Sequence, residues 1–127
     1  EITDYAISQY RLNIDTFTDI CRNINAVPIL MTQPRLVVQN NTKKDRQRIR
    51  YDMVGLNHEM LVSAFHYCDT AIYDVAKQKS VHVIDLAPLF SGKSQLFKDH
   101  IHLSKEVGSK QIAKEVAFQL EEILKEE

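Results

Sequence analysis

Two short apolar segments, far apart in the chain, constrain the fold more than any other feature of this sequence. Residues 27–32 are an almost continuous run of apolar side chains, and residues 81–86 are a second short segment in which Val, Ile and Leu predominate. Such runs are typical of strands that are covered on both faces in a parallel sheet. Pro28 lies near the start of the first run, where a strand tolerates it. We therefore predict one strand over each segment.

Three amphipathic helices are predicted around these strands. The first covers residues 4–23 and ends before Pro28, the second starts at Asn57 as its N-cap, and the third starts after Ser104 as its N-cap. Their apolar side chains recur at three- and four-residue steps, which places them on one side of each helix. These stripes are Tyr10, Ile14, Phe17, Ile20, Cys21 and Ile24; Leu56, Met60, Leu61, Ala64, Phe65, Cys68, Ala71, Ile72, Val75 and Ala76; and Ile112, Ala113, Val116, Ala117, Leu120 and Leu124.

The resulting order, helix–strand–helix–strand–helix, predicts an α/β fold with a parallel sheet. Two short strands are too few for a stable sheet, because independent stability generally needs three or more. The alternation also begins with a helix that no strand precedes. We therefore expect residues 1–127 to be the C-terminal part of one doubly wound domain. Its other strands would come from a preceding segment or from another chain.

Composition narrows the classes of function. Hydrophobic residues make up 44% and charged residues 26% of the 127 residues, as in globular proteins. The 16 basic and 17 acidic residues nearly balance, which argues against a general binder of nucleic acids or membrane surfaces. No apolar run approaches the roughly 18 residues that span a bilayer. The sequence starts at Glu1 without a signal-like segment, so the cellular compartment stays open.

Asp99 and His102 are the strongest candidates for chemistry. They lie in the loop after the second predicted strand, and ligands of open α/β sheets bind at the carboxyl ends of the strands. At a spacing of three residues, a turn brings the carboxylate back to the imidazole Nδ1–H. The carboxylate then fixes the tautomer and leaves Nε2 as a general base for a nucleophile.

The segment around this pair resembles the last conserved block of the SGNH (GDSL-type) hydrolases. That block has an Asp-x-x-His-Leu core, a Gly about six residues later and an amphipathic closing helix. The matching residues here are Asp99, His102, Leu103, Gly108, Ile112 and Ala113. Two earlier segments also look like this family: Val83–Leu86 resembles its last strand, and Ile29–Pro34 resembles an earlier strand with its Thr-x-Pro turn. The resemblance therefore covers nearly the whole chain.

The resemblance implies the second half of a three-layer, flavodoxin-like domain with a serine esterase activity. It implies His102 as the catalytic base, Asp99 as its orienting carboxylate, and no metal or organic cofactor. The family's Ser nucleophile lies in a Gly-Asp-Ser block, and its oxyanion donors are a Gly and an Asn in two further blocks. None of these blocks occurs in this sequence. Ser91 and Ser94 follow the last strand, which is the wrong place for the nucleophile.

The substrate that follows is a small-molecule or carbohydrate ester, with a slight preference for a small acyl group such as acetyl, because no hydrophobic lid-like segment is evident. The alternative is a non-catalytic α/β domain for binding or assembly, in which Asp99 and His102 are turn residues.

Other polar residues have two interpretations each. His100 and His102 would bind zinc on one side of a strand, but no third ligand stands at a useful spacing. The basic segment 43–50 is a solvated loop or helix face, or a rim of the active-site mouth that holds an anionic group. Asp85 is a structural cap or supports the site. Cys21 and Cys68 lack metal-type spacing, and we expect both to be small buried residues.

Overall fold

The computed structural model describes residues 3–126. The elements in chain order are α1 (Asp4–Asn23), β1 (Ile29–Met31), α2 (Lys43–Arg46), α3 (Tyr51–Val54), α4 (His58–Lys79), β2 (His82–Ile84), α5 (Ala87–Phe90), a single 3₁₀ turn (Ser94–Leu96) and α6 (Gly108–Glu126). The predicted α/β class is confirmed, although most of the described chain is helical.

The long helices begin where side chains satisfy their first free backbone N–H groups. The Thr3 hydroxyl accepts a hydrogen bond from the Ala6 N–H (3.2 Å), and the Asn57 side chain accepts one from the Met60 N–H (2.9 Å). Both starts match the predictions. The third helix begins later than predicted, at Gly108, because a turn separates it from Ser104.

The sheet consists of β1 and β2, which are parallel, with Leu30 opposite Val83. Both strands are shorter than predicted. The Thr32 N–H donates to the Ile84 carbonyl (3.2 Å), so the backbone groups of Leu30 and Thr32 point toward β2. Those of Ile29 and Met31 point to the other side, where no strand of the described residues pairs with β1.

Helices cover both faces of this small sheet. On one face, α1 and α4 pack against alternate strand residues, with Leu30 and Val81 in a buried cluster with Val75 of α4. On the other face, α6 packs through Ile112 against Ile84. The chain therefore forms three layers of helix, sheet and helix.

A third apolar cluster lies outside the sheet and orders the long segment after β1. Leu36, Val37 and Ile49 of that segment pack against Leu96 and Phe97, all of them nearly inaccessible to solvent. The long segment between β1 and α4 is therefore folded, and it includes the short helices α2 and α3. This packing places the basic segment directly against the residues that lead to Asp99.

The stripe predicted on α1 is only half covered. Tyr10 and Ile14 pack into the core, whereas Phe17, Ile20 and Ile24 are exposed. Val27 and Met31, along β1, are exposed as well. We call these five exposed side chains the β1-flank surface. No helix among residues 3–126 is long and apolar enough to cross a membrane.

Candidate active site

A tight loop at the carboxyl end of the sheet carries both candidate catalytic residues. An antiparallel bridge between Phe97 and Leu103 closes its base. The Lys98 N–H donates to the His102 carbonyl (2.7 Å), and the Ser104 N–H donates to the Leu96 carbonyl (2.7 Å). Because the base is buried and hydrogen-bonded, the loop holds its tip in one conformation.

The structure brings Asp99 and His102 together as the spacing predicts. His102 Nδ1 lies 2.8 Å from Asp99 Oδ2, which is a hydrogen-bond distance. The other oxygen, Oδ1, accepts hydrogen bonds from the backbone N–H groups of Ile101 (3.0 Å) and His102 (2.9 Å). An ionised carboxylate only accepts hydrogen bonds, so Nδ1 carries the proton and Nε2 has a free lone pair.

The ionisation of Asp99 follows from these contacts. Partial burial acts to raise the pKa of Asp99, but the hydrogen bonds from the His102 and Ile101 N–H groups and from the imidazole outweigh it. Together they lower the pKa of Asp99 to about 2. The carboxylate is therefore charged at neutral pH, and it stabilises an imidazolium at His102 when that ring accepts a proton.

The imidazole of His102 is the exposed member of this pair. The side chain of His102 is 71% exposed, against 29% for Asp99. Among residues 3–126, no hydroxyl group is hydrogen-bonded to His102 Nε2. Ser91 and Ser94 are engaged elsewhere: the Ser91 hydroxyl accepts from the Arg35 N–H, and Ser94 contacts Asp45 and Arg48. The described residues therefore bring a carboxylate and an imidazole together without a hydroxyl group bound to the imidazole.

Gly108, part of the family-like motif, lies where the loop meets α6. A Cβ atom on this residue would lie 2.1 Å from the Leu96 carbonyl oxygen. Ser104 completes the junction, since its hydroxyl accepts a hydrogen bond from the Gly108 N–H (2.9 Å) and donates one to the Gln95 carbonyl (3.1 Å). The lack of a side chain at Gly108 lets α6 start directly against the base of the loop.

His100 and His102 differ in environment. His100 is 7% exposed, and its Nδ1 is buried without a hydrogen-bond partner among the described residues, 3.8 Å from Asp99 Oδ1. One imidazole is thus buried and the other exposed. Across residues 3–126, no three His, Cys, Asp or Glu side chains come together in a way that would hold a metal ion.

Sequence reasoning missed the role of Arg48 and Asp45. The basic segment was interpreted as a solvated face or as a rim for anionic groups. Arg48 instead binds the backbone of residues 94–98, and Asp45 is 7% exposed. These contacts join residues almost 50 positions apart, so neighbouring sequence does not reveal them. The one local signal is Asp45, an acidic residue that stands among basic ones.

Asp85 links the carboxyl ends of the two strands. Its carboxylate accepts hydrogen bonds from the hydroxyl groups of Thr32 (2.7 Å) and Tyr73 (2.8 Å). Thr32 in turn accepts one from the Ala87 N–H (2.9 Å). Burial and the contact with Asp85 raise the pKa of Tyr73 to about 12, so its phenol stays protonated. These contacts favour the structural interpretation of Asp85.

An open groove of about 480 Å³ lies on the α4 side of the loops that follow β1 and β2. Arg35 and Asp69 line it and form a bidentate salt bridge, with N–O distances of 2.7 and 3.0 Å. Arg35 also lies over the Phe65 ring, 4.9 Å from its centre. Neither Asp99 nor His102 lines this groove, and its charged groups are already paired with each other.

The cysteines and the remaining histidines are not parts of this site. Cys21 and Cys68 are both free thiols and only half-buried, rather than fully buried as predicted. Burial, together with nearby Asp69, raises the pKa of the Cys68 thiol, which makes it a poor nucleophile. His58 lies between the Tyr51 hydroxyl (2.8 Å) and the Val38 carbonyl (3.0 Å), a structural position.

The chain was compared with protein-family models, with curated proteins and with solved structures, and none of the three comparisons found a match.

Proposed function

We propose that the chain supplies the acid–base half of a serine esterase site of the SGNH (GDSL-type) kind. The observation that carries this proposal is the Asp99–His102 pair. Its 2.8 Å hydrogen bond sets the imidazole tautomer, and Nε2 is left free toward solvent. The carboxylate, the tautomer and the accessibility all suit a general base that serves a hydroxyl nucleophile.

In the proposed reaction, a serine from outside these 127 residues attacks the ester carbonyl. His102 Nε2 accepts the proton of the serine hydroxyl and then donates it to the oxygen of the leaving alcohol. Water attacks the resulting acyl-enzyme, His102 accepts a proton from that water, and the same proton returns to the serine oxygen as the acid leaves. Throughout, Asp99 holds Nδ1–H and balances the charge of the imidazolium.

The open side of β1 is where the missing groups would enter. The backbone groups of Ile29 and Met31 face an edge with which no strand among residues 3–126 pairs, and the side chains of Val27 and Met31 at this strand are exposed. An edge of this kind accepts another strand. Further strands of a flavodoxin-like domain, from another segment or another chain, would extend the sheet here and bring the serine to the same end as His102.

The proposed substrate is a small acyl ester, of a carbohydrate or another small alcohol. Two features support it. His102 is accessible from solvent, and among residues 3–126 no hydrophobic lid-like segment covers its side chain. A long acyl chain would need an apolar surface close to Nε2.

The test uses the intact protein and p-nitrophenyl acetate. We expect His102→Ala and Asp99→Asn each to reduce kcat/KM by on the order of 10³-fold or more while the far-UV circular dichroism spectrum stays unchanged. His66→Ala is the matched control, since His66 is exposed on α4 and should keep wild-type turnover. Near-wild-type turnover by His102→Ala would exclude the proposed base.

A non-catalytic domain for binding or assembly is the second candidate. One observation favours it: Asp99 Oδ1 binds two N–H groups of its own turn, so this carboxylate has a structural role whether or not catalysis occurs. Asp99→Asn lowers stability under both candidate functions, whereas under this alternative the intact wild-type protein hydrolyses no ester. Covalent labelling of a serine by a fluorophosphonate would decide for the enzyme.

A further inference from the structure

A single guanidinium group holds the residues that lead into the candidate catalytic turn. Arg48 Nη1 donates to the Ser94 carbonyl (3.1 Å) and to the Ser94 hydroxyl (2.7 Å). Its Nη2 donates to the Phe97 carbonyl, and its Nε lies 3.4 Å from the Lys98 carbonyl. Lys98 directly precedes Asp99, so Arg48 binds the backbone up to the first residue of the pair.

Asp45 fixes the other end of this arrangement. It accepts hydrogen bonds from the hydroxyl groups of Ser94 (2.6 Å) and Thr42 (2.7 Å), and its Oδ1 lies 3.8 Å from Arg48 Nη1. The hydrogen bonds from Ser94 and Thr42, more than the attraction of Arg48, lower the pKa of Asp45. Ser94 donates to Asp45 and accepts from Arg48, so its hydroxyl is satisfied on both sides.

We propose that Arg48, Asp45 and Ser94 act as positioning residues that hold the Asp99–His102 turn in its reactive geometry. We call these three residues the Arg48 brace. The brace connects the basic segment after β1 to the loop after β2, so residues that follow two different strands together determine the direction of one imidazole. The catalytic consequence rests on the proposed esterase function, whereas the structural consequence does not.

The chemistry of arginine explains why this residue type suits the brace. Three carbonyl groups and a hydroxyl surround one planar group, and a guanidinium presents five N–H donors in a fixed plane. A lysine ammonium has three donors at one point and cannot reach all four acceptors together. Loss of the Arg48 side chain removes its hydrogen bonds to the carbonyl groups of Ser94, Phe97 and Lys98, and the turn that follows these residues becomes more mobile.

Catalysis depends strongly on such positioning. A displacement of about 1 Å at a reacting group costs on the order of 100-fold in rate. The Arg48 side chain forms no hydrogen bond with His102 or Asp99. Its effect on the position of the imidazole must therefore pass through the loop backbone that it binds. A positioning residue of this kind changes kcat and leaves KM nearly unchanged.

The experiment compares Arg48→Met, Arg48→Lys and Ser94→Ala in the intact protein. The amide resonances of Ile101 and His102, which donate to Asp99, report its titration by NMR. We expect the pKa of Asp99 to rise from about 2 toward its usual range in Arg48→Met and Ser94→Ala, and to rise less in Arg48→Lys. With p-nitrophenyl acetate, we expect kcat to fall on the order of 10- to 100-fold in Arg48→Met.

Arg46→Met is the matched control, because Arg46 lies in the same segment, is exposed, and has no side-chain hydrogen bond to the loop. It should keep the wild-type pKa of Asp99 and the wild-type kcat. If Arg48→Met does not fold, Ser94→Ala decides the question, since it removes only one hydroxyl. A folded variant of either kind with an unchanged Asp99 pKa and unchanged amide exchange at Ile101 and His102 overturns the brace.

The two proposals fail in different ways. If the intact wild-type protein hydrolyses no ester, the proposed function is wrong, but the titration of Asp99 still tests the brace. If the wild type is active and Arg48→Met is equally active with an unchanged Asp99 pKa, the brace is wrong and the esterase assignment stands.

Discussion

Asp99 combines two roles at the scale of a single residue. One oxygen holds the imidazole of His102, and the other accepts two backbone N–H groups of its own turn. The spacing of Asp99 and His102 was sufficient to predict the first role. The second depends on the conformation of the turn, which residue types alone do not define. Both roles favour the ionised form, so both weaken when the carboxyl group is protonated.

This requirement links Asp99 to stability in acid. Its pKa in the folded protein is about 2, below the ordinary value of 3.8. A lowered folded-state pKa contributes stability that is present above the unfolded-state pKa and is lost as pH falls toward the folded-state pKa. We expect urea unfolding to show that Asp99→Asn costs about 1–2 kcal/mol at pH 6, and that this difference shrinks between about pH 4 and pH 2.

Asp74→Asn provides the matched control for this titration, because Asp74 is an exposed carboxylate on α4 whose only recorded side-chain partner, among residues 3–126, is Arg11. It should cost little at any pH. A constant difference between wild type and Asp99→Asn from pH 6 to pH 2 would contradict a lowered pKa of Asp99.

At the scale of elements, local signals predicted the helices and distant contacts decided the rest. Caps such as Asn57 act within one turn, so the start of α4 could be predicted from its neighbours in sequence. The packing of the basic segment could not, because Asp45 and Arg48 find their partners at residues 94–98. The strands are shorter than their apolar runs because pairing, rather than residue type, sets their ends.

Substitution of Gly108 tests whether the loop and α6 need to approach each other closely. Alanine is the better helix former by about 1 kcal/mol, so Gly108→Ala would stabilise an isolated helix. Here its Cβ would lie 2.1 Å from the Leu96 carbonyl oxygen, and that oxygen is already held by the Ser104 N–H. We expect thermal unfolding to show a net loss of about 1–3 kcal/mol. Ser109→Ala, one residue later and exposed, should not destabilise the protein.

At the scale of the whole molecule, helices cover both faces of the two-stranded sheet, and one part of α1 stays exposed. The helix–sheet–helix order and the parallel sheet could be predicted from the alternation of helical and strand-like segments. The half-covered stripe of α1 could not, since periodicity shows which residues share a side of a helix and not what covers that side. The β1-flank surface therefore consists of apolar side chains that no other described residue covers.

The β1-flank surface leads to a prediction about association. We expect the 127-residue chain expressed alone to associate, because its described residues expose several apolar side chains and an unpaired strand edge. Ile20→Lys/Ile24→Lys should reduce this association in sedimentation velocity experiments.

If other strands cover the surface in the intact protein, the same double variant destabilises that protein, since two charges become buried. Tyr5→Lys/Leu12→Lys, at exposed apolar positions elsewhere on α1, should change neither property. A monomeric chain with a cooperative unfolding transition would show that the surface needs no partner.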